Sequence, residues 1–238
     1  MTEFVVYLRD EKKLNTPRKP KGDRKDYDDD DLVGIKNSTI DKKLGYLKLK
    51  TILNLELKGD TLYLEPVRDI FMFCCFSSLR YSDASSLKWN DVKDDHIEVT
   101  TVKTADSLSI EINDMMGRIL EKYRAVPDKR NNLVFPYYTN HAMNRDLKKL
   151  CKLAGINEVI RITSYKDNER IYEVKEKWEL VGTHTGRKTF IVNALSRGIA
   201  PSIVMKWTGH NDYKSMKPYI DIVDSIKASE MSKMNFMD

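Results

Sequence analysis

The sequence predicts a mainly helical α+β fold carrying a small antiparallel sheet. Three observations predict it. Apolar residues recur at helical spacing over most of the 238-residue chain, and a hydrophobic fraction of 41% is enough for a sizeable core. In two short stretches, "DDHIEVTTVKTADSLSIEIND" and "VIRITSYKDNERIYEVKEKWELV", the period drops to two. Helices stand before, between and after these stretches, so the sheet is small and enclosed by helices.

The elements follow in order. Residues 11–36, "EKKLNTPRKPKGDRKDYDDDDLVGIK", hold two prolines, two glycines and an acidic run, which predicts a linker or poorly ordered arm. In "NSTIDKKLGYLKLKTILNL", Ser38 or Thr39 is a candidate N-cap, and Ile40, Leu44, Leu47 and Ile52 recur at near-helical spacing. "VRDIFMFCCFSSLR" is apolar all round and predicts a buried helix ending at Arg80. "YSDASSLKWNDV" predicts a short helix from about Ser82. Ile97, Val99 and Thr101 alternate with polar residues, as do Ser109 to Ile112, giving a hairpin with Lys103 near its turn. Asn113 is placed to cap "DMMGRILEKYRAV", and Gly155 to close "NHAMNRDLKKLCKLAG". A second hairpin turns at Asp167-Asn168. The remaining residues are helical, with Thr183 as an N-cap and breaks at Gly198, Pro201 and 209–212.

Composition sets bounds on function. The net charge of +5, from 41 basic and 36 acidic residues, permits a nucleic-acid partner without arguing for one. Cys74, Cys75 and Cys151 are odd in number and two are adjacent, which fits neither a disulfide framework nor a zinc site; they read as buried reduced thiols. No apolar run approaches the ~20 residues of a membrane span, and "MTEFVVYLRDEKK" turns charged too soon for a signal peptide. The expected location is the cytoplasm, with no membrane partner.

Several side chains could carry chemistry. In "THTGRK", His184 and Arg187 share a face in a helix's first turn, where an anion is favoured. Asp83 stands three residues after Arg80 and can hold its guanidinium. In "WTGHNDYKSMKPYIDI", His210 and Tyr219 flank a turn. Taken singly, each has an ordinary reading: a surface arginine, a local ion pair, a solvated Lys103, a packing tyrosine. Taken together, two arginines, a lysine, two histidines and a tyrosine are what transesterification at a phosphodiester needs without a metal. Arginines stabilise the phosphate charge, a lysine can protonate the departing oxygen, and a histidine can help deprotonate a tyrosine that becomes covalently linked.

These blocks resemble the tyrosine recombinase (phage integrase) family, and within it the integrases of conjugative transposons. The resemblance covers about residues 63–228 and rests on "FCCFSSLRYSDASSLKW", "VKTADS", "HTGR" and "TGHNDYKSMKPYI". It implies a tyrosine-recombinase catalytic domain over 61–225. Residues 1–60 would be a poorly ordered arm with a remnant helix of a core-binding domain, and 226–238 a C-terminal tail. It implies Tyr219 as the nucleophile of a 3′-phosphotyrosyl intermediate, with Arg80, Arg187 and His210 on the phosphate. Lys103 would be the general acid, His184 would assist proton transfer, and Asp83 would support Arg80. No metal and no other cofactor are implied. The implied partners are double-stranded DNA attachment sites, further recombinase protomers (a tetramer on DNA in the family), and accessory DNA-bending or directionality factors. Ile222, Val223, Ile226 and Met231 would present an apolar face after the tyrosine, for a neighbouring protomer or for the chain's own core.

Two features depart from the family. Ser78 stands where Gly-Leu-Arg is usual; glycine there would allow close backbone approach, and serine adds only a small side chain. The helical core-binding domain is represented by at most one helix, so the expected protein is a truncated recombinase. The alternatives are a catalytically deficient fragment that binds DNA or regulates an intact integrase, and a type IB topoisomerase with the same chemistry.

Overall fold

The computed structural model describes residues 4–6, 49–102, 107–125, 132–166 and 169–231. The chain is mainly helical, as the periodicity predicts, and folds around α2, Glu65–Ser77. Nine of its thirteen residues are buried, which explains the unbroken apolar run. α2 follows the short helix α1, Leu49–Leu53, and a 3-10 turn at Gly59–Leu64. The rest of the helix expected from Ser38 lies outside the described residues.

α2 ends sooner than the sequence predicts, at Ser77 rather than Arg80. Ser78 takes a left-handed conformation (φ 66°), the chain turns, and α3 runs over Tyr81–Ser85 with Arg80 as its N-cap. Strands β2 (His96–Thr100) and β3 (Ser107–Glu111) pair antiparallel, Ile97 opposite Ile110 and Val99 opposite Leu108. All four of these apolar side chains are buried, so the period of two marks the core face. The turn that carries Lys103 lies outside the described residues.

Helix α4, Asp114–Arg124, is capped by Asn113, whose side chain accepts from the Met116 N–H at 3.1 Å. Helix α5 spans Asn140–Leu153 and closes with Gly155 at φ 70°. Strands β4 (Val159–Lys166) and β5 (Glu169–Glu176) form the second antiparallel hairpin; Asp167-Asn168 lies outside the described residues. The structure adds a strand that the sequence does not predict. Phe4–Val6, β1, pairs parallel with Ile160–Ile162 of β4 and gives the order β1-β4-β5.

After the single turn α6 (Lys177–Leu180) come α7 (Thr183–Ser196), α8 (Pro201–Thr208) and α9 (Tyr213–Met231). α7 is buried on most sides because it separates two cores. One core lies on α2. The other holds Ile191, Val192, Leu195, Val204, Met216, Tyr219 and Val223 from α7, α8 and α9. Val223 therefore packs on the chain's own core; the side chains of Ile222, Ile226 and Met231 are not among those described. Gly186 is where α7 meets α2. A Cβ there would lie 3.0 Å from the Cys74 Cβ and 3.5 Å from the Phe71 carbonyl oxygen.

The three cysteines are free and buried, as predicted. Burial pushes Cys74 and Cys151 up to about 12, and Cys75 well above its ordinary range, so all three stay thiols at neutral pH. Among the described residues, no helix is long and apolar enough to cross a membrane.

Candidate active site

The site is assembled around the C-terminal end of α8. A helix end leaves four carbonyls without intrahelical partners. Here each has a donor. The Met205 and Lys206 carbonyls accept from the backbone N–H groups of His210 (3.1 Å) and Gly209 (3.4 Å). The Trp207 carbonyl accepts from Ser78 Oγ at 2.7 Å. The Thr208 carbonyl accepts from Arg187 Nη2. Two of the four donors come from distant segments, so closing α8 also fixes the α2–α3 turn and α7 against it. Gly209 at φ 60° makes the left-handed turn that aims His210 back at these groups. The Trp207 Nε1–H donates to Glu111 Oε2 at 2.6 Å and ties α8 to β3.

Arg187 is the centre. It is among the largest fully buried side chains, and its Nη1 donates to the Ser78 carbonyl at 3.0 Å. A guanidinium so deeply buried needs this fixed set of acceptors. Burial first, then the charge of Arg80, pulls Arg187 down to about 10, while Asp83 and Tyr219 favour its charged form. It remains a cation at neutral pH, with Arg80, Asp83 and Tyr219 all near enough to act on it.

Asp83 does what its spacing predicts and more. Its Oδ2 lies 3.7 Å from Arg80 Nη1, and its Oδ1 accepts from the Val102 N–H at 3.0 Å. The carboxylate is completely buried. It thus bridges Arg80 to the hairpin residue immediately before Lys103. Lys103 itself lies outside the described residues.

His184 and Arg187 enter on the first turn of α7, but the cap is one residue earlier than predicted. Gly182, not Thr183, is the N-cap, because Asn144 Oδ1 of α5 accepts the Thr183 N–H at 2.8 Å and draws Thr183 into the helix. His184 is exposed and Arg187 is buried, so the two contribute from different depths. His210 is half-buried and is pushed down to about 4, first by burial and then by the positive charges of Arg187, Arg80 and His184. It is neutral at pH 7. Tyr219 is 9% exposed, with its ring in the α7–α8–α9 core. Of the sequence-nominated residues, the structure brings Arg80, Asp83, His184, Arg187, His210 and Tyr219 into one neighbourhood.

Two contributors have roles that the sequence does not reveal. Thr208 joins Arg187 and His210, and nothing in a lone threonine before a glycine signals that. Ser78 had a signal that was misread. A glycine at this position would suit the left-handed φ after α2, rather than serve a close approach. A serine there carries strain of roughly 1–2 kcal/mol, offset by a hydrogen bond to the Trp207 carbonyl worth about 1 kcal/mol. Ser78→Gly is therefore expected to change stability by less than about 1 kcal/mol, whereas Ser78→Ala keeps the strain and orphans the carbonyl, losing about 1–2 kcal/mol. Urea denaturation of the two variants measures the difference; equal stabilities would refute this account.

The sequence profile of the phage integrase family matches residues 58–225. Among solved structures, the chain is similar to the XerH site-specific recombinase bound to difH substrate, in a pre-cleavage complex. That match has 16% identity and a TM-score of 0.51, covering 75% of this chain and 48% of that one. A post-cleavage complex of XerH on palindromic difH gives 15% identity and 0.55, over 81% and 51%. The XerA recombinase gives 16% and 0.54, over 82% and 62%. At these identities the likeness is one of fold. The chain spans about half the length of the XerH structures. No curated protein matches it.

Proposed function

Because the chain belongs to the phage integrase family, with a profile match over residues 58–225, we propose that it is a tyrosine-type site-specific DNA recombinase whose catalytic domain is 61–225. The observation that carries this reading is the cluster of Arg80, Arg187 and His210 beside Tyr219, with the fixed partners Asp83, Ser78 and Thr208. Rigid cations around a hydroxyl suit a phosphodiester, whose charge grows as it becomes pentavalent.

In this mechanism the Tyr219 hydroxyl oxygen attacks the scissile phosphorus. The phosphorus–O5′ bond breaks, a 3′-phosphotyrosyl bond forms, and a free 5′-hydroxyl leaves. Arg80 and Arg187 hold the non-bridging oxygens, Lys103 gives its proton to the departing oxygen, and His184 assists removal of the tyrosyl proton. Attack by a 5′-hydroxyl from a second duplex reverses each step and exchanges the strands. The partners on this reading are duplex attachment sites, further protomers and accessory DNA-bending factors, in the cytoplasm. The style of "HTGR" and "TGHNDYKSMKPYI" supports a mobile element of the conjugative-transposon kind.

A nicked suicide substrate tests the proposal. Incubation with the chain, alone and fused to a relative's core-binding domain, is expected to give a denaturation-resistant protein–DNA adduct that protease removes. The adduct should form undiminished in excess EDTA, since arginine, lysine and histidine supply all the charge. Loss in EDTA with recovery in magnesium would reveal a metal-dependent nuclease and overturn the site assignment. Plasmid relaxation without any strand exchange would make the protein a topoisomerase.

A further inference from the structure

Thr208 has one hydroxyl proton and more than one neighbour to share it with. Its Oγ1 lies 2.7 Å from the Val204 carbonyl oxygen, 3.3 Å from the Met205 carbonyl and 2.6 Å from His210 Nδ1. A carbonyl oxygen can only accept. Were the hydroxyl to donate to Nδ1, the Oγ1 and the Val204 oxygen would face each other at 2.7 Å with no proton between them, which is repulsive. The hydroxyl therefore donates back to Val204, one turn earlier in α8, as a helical threonine commonly does. The proton in the 2.6 Å contact must then come from Nδ1.

We infer that Thr208 is a positioning residue that fixes the tautomer of His210, holding the proton on Nδ1 and leaving the lone pair on Nε2 in the DNA-free protein. The side chain that makes this contact is fully buried, and its own carbonyl is gripped by Arg187. The arginine fixes the backbone at this residue, and turning the hydroxyl away would break its contacts with the Val204 carbonyl and His210 Nδ1. Which ring nitrogen carries the proton is set by the partner of the other, and here that partner is built into the helix end.

A consequence follows for the proposed reaction. An unprotonated Nε2 cannot donate to a phosphate oxygen. In the free protein Nε2 of His210 is an acceptor, and burial first, then the surrounding cations, keep it so. It becomes a phosphate ligand only after Nε2 takes up a proton, giving an imidazolium that still donates from Nδ1 to Thr208. An arriving phosphodiester supplies the negative charge that favours this uptake. The tautomer itself stands on the geometry of α8; only its catalytic consequence rests on the recombinase reading.

Long-range 1H–15N correlation spectra of the 15N-labelled full chain read tautomers directly. The chain has four histidines, His96, His141, His184 and His210, and loss of one pattern in His210→Gln assigns the site. The expected wild-type pattern at neutral pH is a protonated Nδ1 and a bare Nε2. Thr208→Ser keeps the hydroxyl and should keep the pattern. Thr208→Val keeps the shape and the backbone carbonyl, removes the acceptor, and should move the population toward the Nε2–H form. A wild-type His210 protonated on Nε2 overturns the inference, as does an unchanged pattern in folded Thr208→Val. If Thr208→Val does not fold, the wild-type and Thr208→Ser spectra still decide.

Adduct formation by the active protein is the second readout. Thr208→Val is expected to slow it about tenfold, with Thr208→Ser restoring it, the size typical of lost outer-sphere support. An unaltered rate despite a switched tautomer would overturn the catalytic consequence. Absence of any adduct from the wild type would count against the recombinase reading and leave the tautomer assignment standing.

Discussion

Tyr219→Phe is expected to abolish covalent attachment to DNA and leave the fold and DNA binding intact. The substitution deletes one oxygen. The ring, packed among Ile191, Val192, Leu195, Val204 and Met216, stays where it is, so the stability change should be within about 1 kcal/mol, the worth of one hydrogen bond. Tyr219→Ala would instead empty a core position, at about 3–5 kcal/mol, and could not separate folding from chemistry. Tyr213 is the internal control: it begins α9, on the same helix, and is 56% exposed. On a nicked substrate, and in a background shown to be active, the adduct should vanish in Tyr219→Phe and persist in Tyr213→Phe. The reverse pattern would move the nucleophile to Tyr213 and remove the reason for placing the phosphate among Arg80, Arg187 and His210.

That the proposed nucleophile is also a core residue explains why the sequence could nominate it without revealing its setting. Its spacing from His210 is visible in "HNDYKSMKPY", and so is the order of Arg80, Lys103, His184 and Arg187. Periodicity was equally informative for the fold. The apolar run of α2, the alternation in β2 and β3, and the caps at Asn113 and Gly155 appear where local chemistry puts them. The errors have a common physical origin in long-range partners. Thr183 is a good N-cap in isolation, but Asn144, 39 positions earlier, takes its N–H and shifts the cap to Gly182. Arg80 looks like the end of α2 until Ser78 turns left-handed under Trp207, 129 positions later. β1 pairs with β4 across more than 150 residues, a contact that three apolar positions cannot announce. Thr208 matters only because a helix end, an arginine and a histidine meet at it.

Arg187 is where the two readings of the site, structural and catalytic, make different demands. As a structural residue it satisfies the carbonyls of Ser78 and Thr208 and so joins the α2–α3 turn to the end of α8. Its removal leaves two buried acceptors unpaired, each costing about 1–3 kcal/mol. Losing its charge also relieves repulsion from Arg80. That gain is the smaller effect, because the neighbouring Asp83 carboxylate already offsets the pair of cations. Arg187→Ala is therefore expected to destabilise the protein by about 3 kcal/mol or more, read as a lowered urea midpoint. Arg187→Lys keeps a cation but reaches only one of the two carbonyls, and should lose roughly half as much. The catalytic demand is harsher. A phosphate gripped by a planar fork is not gripped the same way by an ammonium, so under conditions where Arg187→Lys remains folded its adduct rate should fall by about 10²–10³. A small stability loss with a large loss of adduct would place Arg187 on the phosphate. Equal, modest losses in both would make it a strut that holds Ser78 and Thr208 together, and full stability in Arg187→Ala would refute the hydrogen bonds on which this site is built.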